Sequence, residues 1–160
     1  MKILLAVDGS PCSLAAVDKI ARRAWAPGSE VKILSAIEMR LGPLAEPWLL
    51  PHDEARVLKA QREQALNIVS AAAAKLRAAS RSRLRVTTKV EQGSPKEVIL
   101  DTLKGGGAAL IVVGSHGHGA LSRFLLGSVS HAVALHAKCS VEIVRERHVR
   151  RTRKRTPRPS

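Results

Sequence analysis

Five short aliphatic runs, spaced so that helical stretches fall between them, constrain this chain more than any other feature. They are Lys2 to Asp8 (KILLAVD), Glu30 to Ile37 (EVKILSAI), Leu84 to Glu91 (LRVTTKVE), Ala108 to Val113 (AALIVV) and Ser140 to Val144 (SVEIV). Runs of this length, rich in branched side chains and ended by Gly, Pro, Ser or Asp, read as buried strands. Between the first two, Leu14 to Trp25 carries apolar residues at helical spacing: Leu14, Val17, Ile20, Ala21 and Ala24. Ser10 with Pro11 opens that helix and Pro27-Gly28 closes it. Asp53 to Ala79 runs without Gly or Pro and predicts a long helix. Ser94 as cap, Pro95 in the first turn and Glu97 three residues past the cap open another, which ends at Gly105-Gly106-Gly107. Ser128 to His136 predicts a short one. Glu38 to His52 holds Pro43, Pro47 and Pro51 around Trp48 and reads as a long irregular loop.

The order is therefore β-α-β-loop-α-β-α-β-loop-α-β. It predicts an α/β fold: a single five-stranded parallel sheet with helices on both faces, joined by right-handed crossovers. Ligands of such sheets bind outside the carboxyl ends of the strands, where the strand order reverses. If strands 1 and 4 are the neighbours at that point, Asp8-Gly9-Ser10 faces the loop that begins at Gly114.

Composition narrows the class. At 160 residues the chain has room for one domain. Two Trp, one Phe and no Tyr leave a core of Ala, Val, Leu and Ile. Net charge is +14, but Arg145 to Ser160 holds eight basic residues and one acidic, a net of +7. Half the excess thus sits on one terminal segment. Residues 147–160 have too little apolar surface to offset ordering entropy and read as a disordered basic tail, with 1–146 as the domain. Such a tail allows weak, salt-sensitive contact with nucleic acid. Cys12 and Cys139 offer neither a disulfide framework nor zinc spacing. With no leader pattern and no apolar run of the ~20 residues a membrane helix needs, the expected location is cytoplasmic, away from membranes.

The informative stretch is Gly114-Ser-His-Gly117-His-Gly-Ala-Leu-Ser-Arg-Phe-Leu-Leu-Gly127-Ser128. Glycine permits positive φ, and it lets a ligand approach the backbone without a Cβ in the way. Ser128 starts a helix, so unpaired N–H groups and the positive dipole end face the same space. Together these predict a phosphate cradle. It is not a Walker loop, because G-x-x-x-x-G-K-[ST] is absent, and the strand 1 turn is not G-x-G-x-x-G.

Gly, two residues, Gly, nine residues, Gly-Ser (Gly114, Gly117, Gly127, Ser128) resembles the ATP-binding signature of universal stress proteins. The opening ILLAVDGSPCS with Asp8, the stretch GSPKEVIL and the closing GSVSHAVALHAKCSVEIV are similar to the same family, over about residues 1 to 146. The resemblance implies a Rossmann-like fold of the adenine nucleotide alpha hydrolase type, with strand order 3-2-1-4-5. It implies ATP, with Mg2+, as ligand and a role as nucleotide-dependent stress regulator. Asp8, with Gly9 and Ser10, would lie near the adenosine, and backbone around Ala36 would read the adenine edge. Gly114, Gly117, His118, Gly127, Ser128 and Ser130 would hold ribose and phosphates. Strand 5 would pair across a homodimer axis. Ser140 stands where many members carry proline, and the tail has no counterpart in the pattern.

Several residues admit two readings. Asp8 is a ligand contact or an aspartate that caps its own turn. His116 and His118 belong to a phosphate rim or to solvent, since adjacent loop histidines without further ligands make no metal site. His131 and His136 read as helix surface, and Cys12 as a thiol activated near a helix N-terminus or as a buried inert one. Arg123 contacts phosphate or solvent, Phe124 to Leu126 anchor the loop, and Trp48 lids the adenine or packs at a dimer contact. No base paired with a nucleophile appears, so no catalytic residue is assigned. A slow ATPase or nucleotidyl-transfer enzyme, and a nucleic-acid module acting through the tail, stand as the alternatives to a nucleotide-binding regulator.

Overall fold

The computed structural model describes residues 1–38, 51–80, 83–118 and 126–146, with the side chains of 51–54 left aside. Trp48, Arg123, Phe124, Leu125, most of the Glu38 to His52 loop and the basic tail therefore lie outside the described residues. The elements are β1 (Lys2–Ala6), α1 (Pro11–Arg22), β2 (Ser29–Ile37), α2 (Pro51–Ser80), β3 (Leu84–Gln92), α3 (Pro95–Gly106), β4 (Leu110–Gly114), α4 (Ser128–His136) and β5 (Ser140–Val144). All neighbouring strands pair in parallel, in the order β3-β2-β1-β4-β5. This is the order and fold class that the sequence predicts, and β1 lies beside β4 with Ile3 opposite Leu110.

Alternation along the central strands divides the core in two. Ile3, Leu5, Val31, Ile33 and Val112 face one way, onto Val17 and Ile20 of α1 and Val69, Ala73 and Leu76 of α2. Leu4, Ala6, Leu34, Ile111 and Val113 face the other way, onto Val98 and Ile99 of α3 and Val133 of α4. A strand covered on both faces must be apolar at successive positions, which is why β1 and β4 read as unbroken aliphatic runs. Along α2 the buried residues Ala65, Val69, Ala72, Ala73 and Leu76 keep helical spacing. The alanines let the helix lie close to the sheet.

Several boundaries shift. Pro51, read as loop, is the first residue of α2, where its missing N–H forfeits no hydrogen bond. β4 starts at Leu110 rather than Ala108. Gly107 caps α3 with φ +59, a left-handed conformation, and Ala109 N–H donates to Lys2 O at 2.9 Å before regular pairing begins. Ser94 sits at the cap position of α3, but its side chain makes no capping bond. Its carbonyl accepts from Val98 N–H instead, at 2.9 Å. His131 and His136 are exposed on α4, as their positions predict.

Leu76 is fully buried between α2 and the sheet. Leu76→Ala is expected to lower unfolding free energy by about 2–5 kcal/mol, read as a lower midpoint in urea unfolding with unchanged m-value.

Candidate functional site

β1 leads through α1 to β2 on one side, while β4 and β5 extend the sheet on the other. The strand order therefore reverses between β1 and β4, and a cavity of about 660 Å³ opens there. It crosses the carboxyl ends of β2, β1 and β4. Leu34 and Ala36 line it from β2, Ala6 from β1, Val7 and Asp8 from the turn after β1, and Val113 and Gly114 from β4. Pro95 and Ile99 of α3 add an apolar wall. His116 to His118 and Leu126 to Ser130 close the β4 side.

The ends of the strands supply the main-chain chemistry. Val7 N–H donates to Leu34 O at 2.9 Å, so Leu34 turns its backbone groups toward β1. Backbone direction alternates along a parallel strand. Ala36, two residues on, therefore points its N–H and C=O to the same side, beyond the end of β1. At α4, Gly127 is the cap residue and has no capping side chain. The amides of Ser128, Val129 and Ser130 have no partner one turn back, and the positive end of the helix dipole lies with them. His131 N–H is the first to close a helical bond, to Gly127 O at 2.9 Å.

Ser115, fully buried, holds this end together. Its N–H donates to Val144 O at 2.7 Å, and its carbonyl accepts from Gly127 N–H at 2.8 Å. The Ser130 hydroxyl lies 2.9 Å from both Ser115 O and Gly127 O, so its proton is turned inward. Ser130 can thus serve a ligand through its main chain. The Ser128 side chain is exposed.

The three signature glycines work differently from the sequence expectation. Among the described glycines, positive φ occurs at Gly9, Gly28, Gly93 and Gly107, and not at Gly114, Gly117 or Gly127. What they permit is close approach, and the neighbours are the protein's own atoms. A Cβ on Gly114 would stand 2.8 Å from both Cys12 C and Ser13 N. On Gly117 it would stand 2.7 Å from Asp8 Oδ2, and on Gly127 it would stand 3.2 Å from Ser115 O.

Eight of the ten residues assigned from sequence line the cavity: Asp8, Ala36, Gly114, Gly117, His118, Gly127, Ser128 and Ser130. Gly9 and Ser10 do not. Gly9, at φ +82, faces Ile68 of α2. Ser10 is a buried cap that accepts from Ser13 N–H at 3.3 Å and donates to His116 O at 3.2 Å. Asp8 combines its two readings: Oδ1 accepts from Ser10 N–H at 2.9 Å, while the exposed carboxylate forms part of the wall. His118 Nε2 lies 2.8 Å from Asp8 O and ties the loop to the β1 turn. Sequence reasoning missed Ser13, Leu34, Pro95 and Ile99. Leu34 was within reach, because residues two apart on a strand share a face with Ala36. Leu126, read as an anchor, is 37% exposed on the cavity wall. Among the described residues, no three His, Cys, Asp or Glu side chains converge as metal ligands.

Comparison with known proteins agrees with this architecture. The model of the universal stress protein family matches residues 1–145. The chain belongs to the universal stress protein family. It is 32% identical over 148 residues to universal stress protein YxiE of Bacillus subtilis, covering 90% of this chain and 98% of that one. Universal stress protein UspA from Lactobacillus plantarum superposes with a TM-score of 0.72 at 24% identity, covering 91% of this chain and 97% of that one. A universal stress protein solved in complex with cAMP superposes with a TM-score of 0.63 at 25% identity, covering 92% and 98%. No described helix of this universal stress protein is long and apolar enough to cross a membrane.

The glycine contacts make a paired test. Gly114→Ala is expected to destabilise by about 1–3 kcal/mol, because backbone must shift to admit the methyl. Gly106→Ala, whose added Cβ meets nothing within 4 Å, is expected to be neutral or slightly stabilising. Chemical unfolding of both variants checks the contrast.

Proposed function

We propose that this universal stress protein binds an adenine nucleotide, ATP by preference, across the cavity between β2 and α4. One observation carries the reading. The free amides of Ser128, Val129 and Ser130 open onto the same cavity as the free backbone edge of Ala36. A nucleotide needs both: an anion site at one end, and a donor–acceptor pair beside an apolar wall at the other. Leu34, Ile99 and Val113 offer that wall to a flat base. The universal stress protein solved with cAMP supports the same class of ligand. Asp8 lies between the two ends, at the place of the ribose. Mg2+ would travel on the polyphosphate, and the Asp8 carboxylate is one of the acidic groups that line the cavity.

Binding, not turnover, is the activity this geometry favours, with the protein acting as a cytoplasmic nucleotide-dependent regulator in the stress response. Residues 1–146 form the binding unit in this reading, and the basic tail is an accessory. Among the described residues β5 pairs with β4 along one edge only, which supports a homodimer joined through the other edge.

Protein purified in mild buffer is expected to carry ATP or AMP, detectable by native mass spectrometry. ATP at about 100 times its Kd should stabilise the fold by about 2.7 kcal/mol, read as a higher melting temperature. A melting temperature unmoved by millimolar ATP with Mg2+ would sink the proposal. Gly127→Val should abolish the shift, because its side chain enters the space between Ser115 O and the start of α4. An unchanged shift in that variant would remove this loop from the site.

A further inference from the structure

A second cleft, of about 180 Å³, opens at the opposite end of the sheet, between the last turns of α1 and α2 and the start of β3. Ile20, Trp25, Leu76 and Leu84 give it an apolar lining. An apolar cavity of about 150 Å³ admits benzene, so this space suits a single six-membered ring. Among the described residues, the charged side chains that line it are Arg23 and Arg83, and no acidic one joins them.

Most polar groups around the cleft are already engaged. Trp25 Nε1–H donates to Ile20 O at 2.9 Å, and Arg23 Cζ lies 4.6 Å from the centre of the indole ring, so the ring is held in place. Arg23 also reaches Glu142 Oε2 at 3.4 Å. The Ser80 hydroxyl donates to Arg77 O at 3.3 Å. Arg83 differs. Its backbone N–H donates to Ser80 O at 3.0 Å, but among the described residues its exposed guanidinium has no hydrogen-bond or ion-pair partner. A guanidinium presents a planar fork of donors that matches a carboxylate. Here that fork lies beside an apolar cleft with no acid in its lining.

We propose that this cleft is a second binding site, for a small carboxylate carried on one ring. The ring packs against Trp25, Leu76 and Leu84, and the carboxylate takes the Arg83 fork. Either half alone binds weakly, because an exposed ion pair contributes little in water and one ring buries little area. Joined in one molecule, the two halves share a single loss of translational freedom. The site lies at the amino end of β3 and needs nothing from the cavity at the carboxyl ends of the strands.

The test titrates the 15N-labelled full chain with benzoate and reads the Trp25 indole N–H and the amides of Arg83 and Leu84 by NMR. Benzyl alcohol supplies the ring without the charge, acetate the charge without the ring, and inorganic phosphate a plain anion. Benzoate is expected to move these signals saturably, and at lower concentration than any of the three. Arg83→Gln should weaken benzoate roughly fivefold and leave benzyl alcohol unchanged. Ala79→Leu, at an exposed position that lines the cleft, should remove benzoate binding by filling the space, with an unchanged circular dichroism spectrum. No saturable movement with millimolar benzoate overturns the proposal, and so does undiminished benzoate binding in either variant. Acetate or phosphate binding as tightly as benzoate reduces the cleft to a surface charge and overturns it too. The response to ATP is expected to be the same in both variants, so failure here leaves the nucleotide reading standing.

Discussion

The contact between Gly114 and the first turn of α1 is the constraint on which the site depends. The end of β4 lies directly on the backbone of Cys12 and Ser13, closer than any side chain allows. That contact brings the loop after β4 under the turn after β1. Every other link of the site starts from there. Ser10 reaches His116 O, His118 reaches Asp8 O, and Ser115 joins β5 to the cap of α4. Without the first approach, these side chains would be too far apart to bond. The glycine is thus a packing residue, and its part in the proposed binding is indirect.

The end of the cavity proposed to hold an anion is made chiefly of main chain. Its donors are amides at a helix start, held by hydrogen bonds to a buried serine. Such donors cost no side-chain entropy when a ligand arrives, and they are fixed before it does. In the proposed reading, selectivity among nucleotides falls to the few side chains on the wall, Asp8 and His118 among them.

Much of the architecture was legible because parallel sheets write themselves in a simple pattern. Strands buried on both faces are unbroken aliphatic runs, and the helices between them carry a 3.6-residue period. Helix starts at Pro11 and Pro95 followed from local chemistry. The start of α2 at Pro51 did not, since the same proline suits a loop or a first helical turn. The cap at Ser94 failed because a side chain can hold the cap position without making the bond. Within the site, the glycine spacing pointed to the right loop, but for a partly different reason. Spacing does not say whether the atom that excludes a Cβ belongs to a ligand or to the protein. Ser13 and Ile99 carried no signal, being an ordinary serine and an ordinary core isoleucine until the fold brings them to the cavity.

The sequence by itself determined the element order, the sidedness of each strand and the glycine loop that marks the family. These are local properties, set by periodicity, chain stiffness and the absence of side chains at fixed intervals. Only the tertiary structure decided which groups face one another. It turned Ser10 and Gly9 away from the cavity and directed the Ser130 proton inward. It also left the backbone edge of Ala36 and the ring of His116 on the cavity wall. Several of those outcomes depend on contacts between residues far apart in sequence, 106 positions for Ser10 and His116, and such contacts exist only once the sheet has ordered its strands.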